Sequence, residues 1–129
     1  MTALHRDPYE NVYAQLKGRK HLALLPPVAI PCINEQILPA ASYTARQDVS
    51  DSEIPGELTP LLDSPEERVP FATWDPDKPE HNKTRFSHLV VPLRVTLEAG
   101  DILYLPALWY HKVSLSCGTD PFCCSVNYW

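Results

Sequence analysis

The sequence has 129 residues, a formal charge of −5 at pH 7 and an isoelectric point near 5.4. This length suffices for one domain with one core, so a single site should carry the function. The acidic balance, without clusters of Lys and Arg, argues against direct binding of nucleic acid.

The positions of the cysteines and of the apolar residues indicate in which cellular compartment the protein is expected. The four cysteines form no CxxC pair, which argues against a zinc knuckle. Nothing near Met1 resembles a signal peptide, and no apolar run reaches the roughly 20 residues that a membrane-spanning helix needs. We therefore expect an intracellular protein, cytoplasmic or nuclear, with reduced thiols and no membrane partner.

The first predicted element is a pair of strands. Residues 12–16 and 21–25 are apolar and β-prone, and residues 17–20 between them contain Gly18. This pattern predicts a β-hairpin with Gly18 in its turn. Pro26 and Pro27 should end the second strand, because proline cannot donate a ladder hydrogen bond.

A long segment without periodicity follows the predicted hairpin. Residues 28–87 are rich in Pro, Asp, Glu and Ser, and we predict an irregular insertion. Within it, residues 71–74 (FATW) are aromatic enough that we expect them to pack on the core rather than lie in solvent.

Strand character returns in the last third of the chain. Residues 89–97 and 102–105 are β-prone and are joined by a turn at 98–101, which predicts a second strand pair. Residues 106–115 continue extended, and residues 122–129 form a final β-rich run. The chain is thus predicted to be mainly β, with no strong helix.

A possible metal site begins with His5 and Asp7. In a strand, the period of two would point this imidazole and this carboxylate to one face. The HxD tripeptide alone is a weak indicator, because a surface histidine beside a solvated aspartate has the same sequence. A third ligand is needed to make a site.

His111 is the favoured third ligand. It lies in an apolar β segment after the turn at 98–101, where a closing barrel would return it to the first strand. Two histidines and one carboxylate form a facial triad that leaves positions on Fe(II) open, whereas four-ligand structural zinc sites are closed. Zn(II) or Ni(II) would also suit these ligands. Three other histidines compete with it but have flanking or polar surroundings: His21, His81 and His88.

Two stretches of the sequence resemble the jumonji-C family of Fe(II)- and 2-oxoglutarate-dependent hydroxylases. The first is residues 2–13 (TALHRDPYENVY), followed by Lys20. The second is residues 100–106 (GDILYLP) with 108–111 (LWYH), which is similar to the segment that leads into the family's distal iron-binding histidine. The closing residues 126–129 (VNYW) also fit.

Within the family, residues 7–13 and 106–109 are most similar to the small (3S)-lysyl hydroxylases, also described as bifunctional peptidases. The resemblance implies a partial double-stranded β-helix, a cupin-like jelly roll, over residues 1–129 with the insertion at 28–87. It also implies site roles. The implied iron ligands are His5, Asp7 and His111. The resemblance also implies that Lys20 pairs with the distal carboxylate of 2-oxoglutarate. The residues implied to line the cosubstrate are Thr2, Asn11, Tyr13 and Asn127.

The predicted function is an Fe(II)- and 2-oxoglutarate-dependent dioxygenase that hydroxylates a protein side chain, with lysine the favoured target. A complete domain of the family has further strands before its HxD motif, so we expect a fragment that lacks the N-terminal part, without the homodimer possible in full-length relatives. One alternative is a catalytically silent fragment that acts as a binding module or does not fold stably alone. Another is a metal-binding cupin without oxygenase activity, which would not need Lys20 or Asn127.

Overall fold

A computed structural model describes residues 1–45, 58–119 and 121–129, and its regular structure is almost entirely β. Two short 3-10 helices lie at Pro27–Cys32 and Ser87–Leu89. No helix in this part of the chain has the length and hydrophobicity that crossing a membrane requires. The strands of the described residues are β1 (Asn11–Lys17), β2 (Arg19–Leu25), β3 (Glu35–Pro39), β4 (Ala41–Ala45), β5 (Leu58–Leu62), β6 (Arg68–Ala72), β7 (Leu93–Leu97), β8 (Ile102–Leu105), β9 (Tyr110–Ser116) and β10 (Cys124–Tyr128).

Two three-stranded antiparallel sheets form the larger compact unit, residues 1–35 and 72–129. The first sheet has the order β10-β1-β8 and the second the order β7-β2-β9. On β1, the buried Asn11, Tyr13 and Gln15 alternate with more exposed residues, as expected for a strand with one face toward an interior. The predicted mainly β, jelly-roll type of fold is confirmed.

The predicted hairpin between β1 and β2 is wrong. Both strands exist, but β1 pairs with β8 and β10 while β2 pairs with β7 and β9. Only Gly18, at φ 71°, separates them, and this one-residue corner passes the chain from one sheet to the other. The predicted pair β7 and β8 is likewise divided between the two sheets. The hydrophobic periodicity of a segment indicates that it is a strand, but it does not identify the strand with which it pairs.

Two apolar clusters stabilise this unit. One comprises Tyr13, Leu22, Leu24, Leu97 and Leu105, and the other comprises Leu4, Leu25, Ala29, Ile33, Ala72, Trp74 and Tyr110. Full burial of one such large side chain contributes about 1.5–3 kcal/mol. Trp74 is buried in the second cluster and its indole N–H donates to the Pro79 carbonyl oxygen at 3.1 Å, so this part of residues 71–74 packs on the core as expected.

Residues 36–71 form a second compact unit. In it β4 pairs with β5 in a two-stranded antiparallel sheet, and β3 pairs with β6 in another. The segment 28–87 is therefore more regular than predicted, although residues 46–57 lie outside the described part. Its short strands were missed because most of their side chains are exposed on both faces, which removes the alternation that marks a half-buried strand.

An ion-pair cluster lies on the face of β9 opposite His111. The Nζ atom of the buried Lys112 is 2.6 Å from Asp75 Oδ1 and 2.7 Å from Asp77 Oδ2. Burial opposes the charge on Lys112, but the hydrogen bonds to both carboxylates outweigh it and raise the pKa of Lys112. Burial opposes the charge on Asp75, but the hydrogen bonds from Lys112 and from the Asp77 amide, with the charge of Lys112, together lower the pKa of Asp75. Hydrogen bonding to Lys112 also lowers the pKa of Asp77.

Replacing Lys112 with Met should therefore destabilise the fold in a pH-dependent way. The loss at pH 7 should be about 1–3 kcal/mol, since it leaves two partly exposed carboxylates without their shared donor. The contribution of Lys112 to stability is fully present below its unfolded pKa of 10.5. The contribution of Asp75 and Asp77 is present above their unfolded pKa of 3.8 and is lost as pH falls through their lowered folded pKa values. The difference between wild type and variant should thus be larger at pH 7 than at pH 3, and it should shrink as pH falls below 3.8.

Urea unfolding at both pH values measures this difference. Lys83→Met is the matched control, because Lys83 forms a solvent-exposed pair with Glu80 and its replacement should leave stability nearly unchanged. An equal loss for Lys112→Met at pH 3 and pH 7 would contradict the ion-pair account.

Candidate metal centre

The N-terminal segment lies along β9 and is tied to it by backbone hydrogen bonds. The His111 amide donates to the His5 carbonyl at 2.7 Å, and the His5 amide donates to the His111 carbonyl at 3.1 Å. The Leu108 amide donates to the Asp7 carbonyl at 2.8 Å. His5 thus takes part in an isolated bridge rather than in the regular strand that was predicted, and pairing with β9 brings His5 and Asp7 to His111.

The three predicted ligands lie together in space. Each of His5, Asp7 and His111 offers one nitrogen or oxygen atom, and these atoms all lie within 4.8 Å of one another. The two imidazole centroids are 4.1 Å apart, and His111 Nε2 is 3.7 Å from Asp7 Oδ2. No other group of three such side chains in the described part of the chain meets this criterion. The cluster is therefore a possible metal site.

Backbone carbonyls fix the orientation of both imidazoles. His5 Nδ1 lies 2.9 Å from the Ala3 carbonyl oxygen, and His111 Nδ1 lies 3.2 Å from the Trp109 carbonyl oxygen. A carbonyl oxygen only accepts, so each Nδ1 must carry the proton and donate it. Each neutral ring then has an unprotonated Nε2, which is the form that binds metal.

The environment of His111 also favours the neutral imidazole. Its side chain is only 2% exposed, and burial, with a smaller contribution from His5, lowers its pKa. A histidine must be deprotonated to bind a metal, so a lowered pKa removes proton competition at neutral pH.

The possible metal site opens into a cavity of about 260 Å³. All eight residues that the sequence assigned to the metal or the cosubstrate line it: Thr2, His5, Asp7, Asn11, Tyr13, Lys20, His111 and Asn127. They come from the N-terminal segment, β1, β2, β9 and β10, which the two sheets bring together. Their individual roles remain predictions.

Lys20 is a buried ammonium group in this cavity. Its side chain is 5% exposed, and its Nζ lies 4.2 Å from the centroid of the Tyr13 ring. Burial lowers the pKa of Lys20. Among the described residues no side chain forms an ion pair or hydrogen bond with it, so its charge is compensated only by the aromatic face.

The other predicted cosubstrate residues differ in exposure. Asn11 is buried and its Oδ1 atom has no hydrogen-bond partner among the described residues. Tyr13 is buried, and desolvation together with the nearby Asp7 carboxylate raises its pKa to about 12, so the phenol stays protonated. Thr2 also serves the fold, because its Oγ1 accepts from the Val113 amide at 3.0 Å. Asn127 lies opposite Tyr13 on the neighbouring strand.

Three further lining residues were missed from the sequence: Tyr9, Val113 and Trp129. Tyr9 and Trp129 are exposed and their rings make an edge-on contact at 5.8 Å. Tyr9 lies inside the stretch that contains the HxD motif, and Trp129 lies two residues after Asn127. Their proximity to these motifs could have identified them as lining residues. Their contact joins residues 120 positions apart, which no local pattern reveals.

The competing histidines lie elsewhere. His21 is on the outer face of the second sheet, where its ring nitrogens contact Thr96 Oγ1 at 2.9 Å and Ser116 Oγ at 2.8 Å. His81 and His88 are exposed. A smaller cavity of about 150 Å³ includes His21, but its charged residues already form ion pairs, because Arg94 and Lys112 both contact Asp77.

Comparison with known proteins agrees with this fold. The family model described as the cupin-like domain matches residues 1–129, and the chain belongs to that family. Its relatives include proteins named for a JmjC domain or as lysine-specific demethylases and a lysyl hydroxylase, in agreement with the resemblance noted in the sequence.

Three of these relatives are aligned over the whole chain. A lysine-specific demethylase of Arabidopsis thaliana is 34% identical, the JmjC domain-containing protein E of Dictyostelium discoideum is 31% identical, and a bifunctional peptidase and (3S)-lysyl hydroxylase of Homo sapiens is 34% identical. The alignments cover 38%, 38% and 37% of those proteins respectively, so the chain spans less than two fifths of their length.

Proposed function

We propose that this chain carries the Fe(II) and 2-oxoglutarate site of a dioxygenase that hydroxylates a protein side chain, with lysine as the target. When bound, iron would activate dioxygen, which is the oxidant, and 2-oxoglutarate would supply two of the four electrons that dioxygen accepts, so that one oxygen atom enters a substrate C–H bond and the other leaves in succinate, with carbon dioxide as the second product. The chain's own residues would hold these groups, orient them and exclude water.

The donor set of the cluster suits Fe(II). His5 and His111 would each supply Nε2, and Asp7 would supply a carboxylate oxygen. Two imidazoles and one carboxylate leave coordination positions free for a cosubstrate and dioxygen, in contrast to a closed structural site. The Nδ1 hydrogen bonds to Ala3 and Trp109 would keep both rings in the ligating orientation.

Lys20 is the observation that carries the cosubstrate part of the proposal. Lys20 is a buried ammonium group without an anionic partner in the part of the chain that the structure describes, so it has lost its hydration and gains little in return. A dicarboxylate in the cavity would supply the missing charge through a charge-assisted hydrogen bond. The buried amide of Asn11 offers a second polar contact in the same cavity, since either end of an amide group can face a ligand.

The substrate class rests on relatives and on charge. Two of the relatives are named for action on lysine, one as a demethylase and one as a (3S)-lysyl hydroxylase. The chain has a formal charge of −5, and an acidic protein attracts a basic peptide. The exposed rings of Tyr9 and Trp129 beside the cavity offer an apolar surface for the methylenes of a lysine side chain.

The proposal is tested by incubating the purified chain with Fe(II), ascorbate, 2-oxoglutarate and a set of lysine-containing peptides. We expect succinate to form only when iron is present, and a peptide to gain the mass of one oxygen atom at lysine. Circular dichroism and metal analysis should accompany the assay. A folded, iron-loaded chain that forms no succinate would overturn the proposal and favour the catalytically silent binding module.

A further inference from the structure

A pair of thiols lies at the corner between β9 and β10, away from the residues that line the proposed metal cavity. Cys117 follows β9 and Cys123 precedes β10. Their sulfur atoms are 3.5 Å apart, and neither residue is bonded to another cysteine. A disulfide needs about 2.05 Å between sulfurs, so closure requires an approach of only about 1.5 Å.

Cys123 is held in position by its surroundings. Its thiol donates to the Ser116 carbonyl oxygen at 2.9 Å. It also packs against the corner between β1 and β2, where the Cys123 sulfur occupies the space that a Cβ atom at Gly18 would need. Gly18 has a φ of 71°, a backbone conformation that favours glycine. The lack of a side chain at Gly18 also leaves room for the Cys123 sulfur.

The two sulfurs differ in accessibility. Cys117 is exposed, whereas Cys123 is partly buried. A small oxidant in solution therefore meets Cys117 first, and Cys123 is already placed to attack the product. This arrangement of an accessible thiol beside a second, positioned thiol is what intramolecular disulfide exchange requires.

We propose that Cys117 and Cys123 form a redox-active dithiol that closes to a disulfide on contact with a low-molecular-weight disulfide. The thiolate of Cys117 attacks one sulfur of the oxidant, forms a mixed disulfide and releases one thiol. The thiolate of Cys123 then attacks the Cys117 sulfur and releases the second thiol. The protein loses two electrons and two protons, and the oxidant is reduced to two thiols.

The hydrogen bond between the two thiols raises the pKa of Cys117. Because the thiolate is the attacking form, the first step should accelerate as the pH rises above neutrality. Closure is thus expected to be slow at pH 7 and faster at pH 9, and to be reversed by excess reduced thiol.

The experiment treats the full chain with oxidised glutathione, blocks remaining thiols, and digests the protein without reduction using trypsin and endoproteinase Asp-N. The sequence has no Lys or Arg after Lys112, and Asp120 lies between the two cysteines. The digest therefore separates residues 113–119 from residues 120–129 unless a disulfide joins them. We expect these peptides to be recovered as a linked pair with two hydrogens fewer than their sum.

Three serine variants identify the partner. Cys117→Ser and Cys123→Ser should abolish the linked pair, whereas Cys124→Ser, which changes the exposed neighbour of Cys123, should retain it. Cys123→Ser should instead accumulate glutathione on Cys117. A link that survives in Cys123→Ser but is lost in Cys124→Ser would overturn the assignment. So would a bond between Cys123 and Cys124, or glutathione adducts at Cys117 without closure in the wild type.

Discussion

Replacing His5 with alanine is expected to weaken Fe(II) binding by at least about a hundredfold and to reduce succinate formation to background. Removing only a hydrogen-bond partner of a ligand typically costs about 10–100-fold in metal affinity, so loss of a ligand should cost more. The Nδ1 atom of His5 is hydrogen bonded to the Ala3 carbonyl oxygen, so its Nε2 atom is available to bind the metal. The centroid of its ring lies 4.1 Å from that of His111. Two ligands would remain, which is too few to hold iron against solvent.

His21→Ala is the matched control for this variant. His21 lies on the outer face of the second sheet, hydrogen bonded to Thr96 and Ser116, and is not among the residues that line the cavity at the candidate metal site. Iron content after gel filtration and the rate of succinate formation should match the wild type. His5 is only partly buried, so thermal unfolding should show that His5→Ala remains folded. Equal iron content in His5→Ala and His21→Ala would contradict the proposed metal site.

Replacing Lys20 with methionine is expected to weaken 2-oxoglutarate binding by about 10–100-fold, because a charge-assisted hydrogen bond in a buried site contributes about 1.5–3 kcal/mol. Fe(II) binding should be unchanged, since Lys20 is not among the three ligand residues. Titration calorimetry of 2-oxoglutarate with the protein loaded with a redox-inert divalent metal measures this affinity without turnover.

Stability provides a second readout for Lys20. Without cosubstrate its buried charge has, among the described residues, only the Tyr13 ring as a partner, so methionine of similar length should leave the free energy of unfolding unchanged or raise it by about 1 kcal/mol. Lys17→Met, on the preceding strand and outside the cavity, is the control and should not alter 2-oxoglutarate affinity. If Lys20→Met retains full 2-oxoglutarate affinity, the metal-binding cupin without oxygenase activity is favoured instead.

Motifs in the sequence predicted the candidate site better than they predicted strand pairing. The HxD tripeptide and the segment around His111 identified the three side chains that the fold brings within 4.8 Å of one another. Lys20 was singled out only through the family resemblance, because a lysine near a glycine turn has no other distinguishing mark. Its burial and its position against Tyr13 became visible only in the structure.

By itself, the sequence determined that the chain is mainly β and where most strands of the two larger sheets lie, because strands follow from local patterns of hydrophobicity. It also determined which residues are candidates for the metal site, because these lie in short motifs. The tertiary structure decided which strands pair, and it divided β1 and β2 between two sheets at Gly18. It also decided that His5 and Asp7 reach His111 through a bridge to β9. Pairing in the two larger sheets depends on hydrogen bonds between residues 69 to 116 positions apart, and local sequence preferences do not determine it.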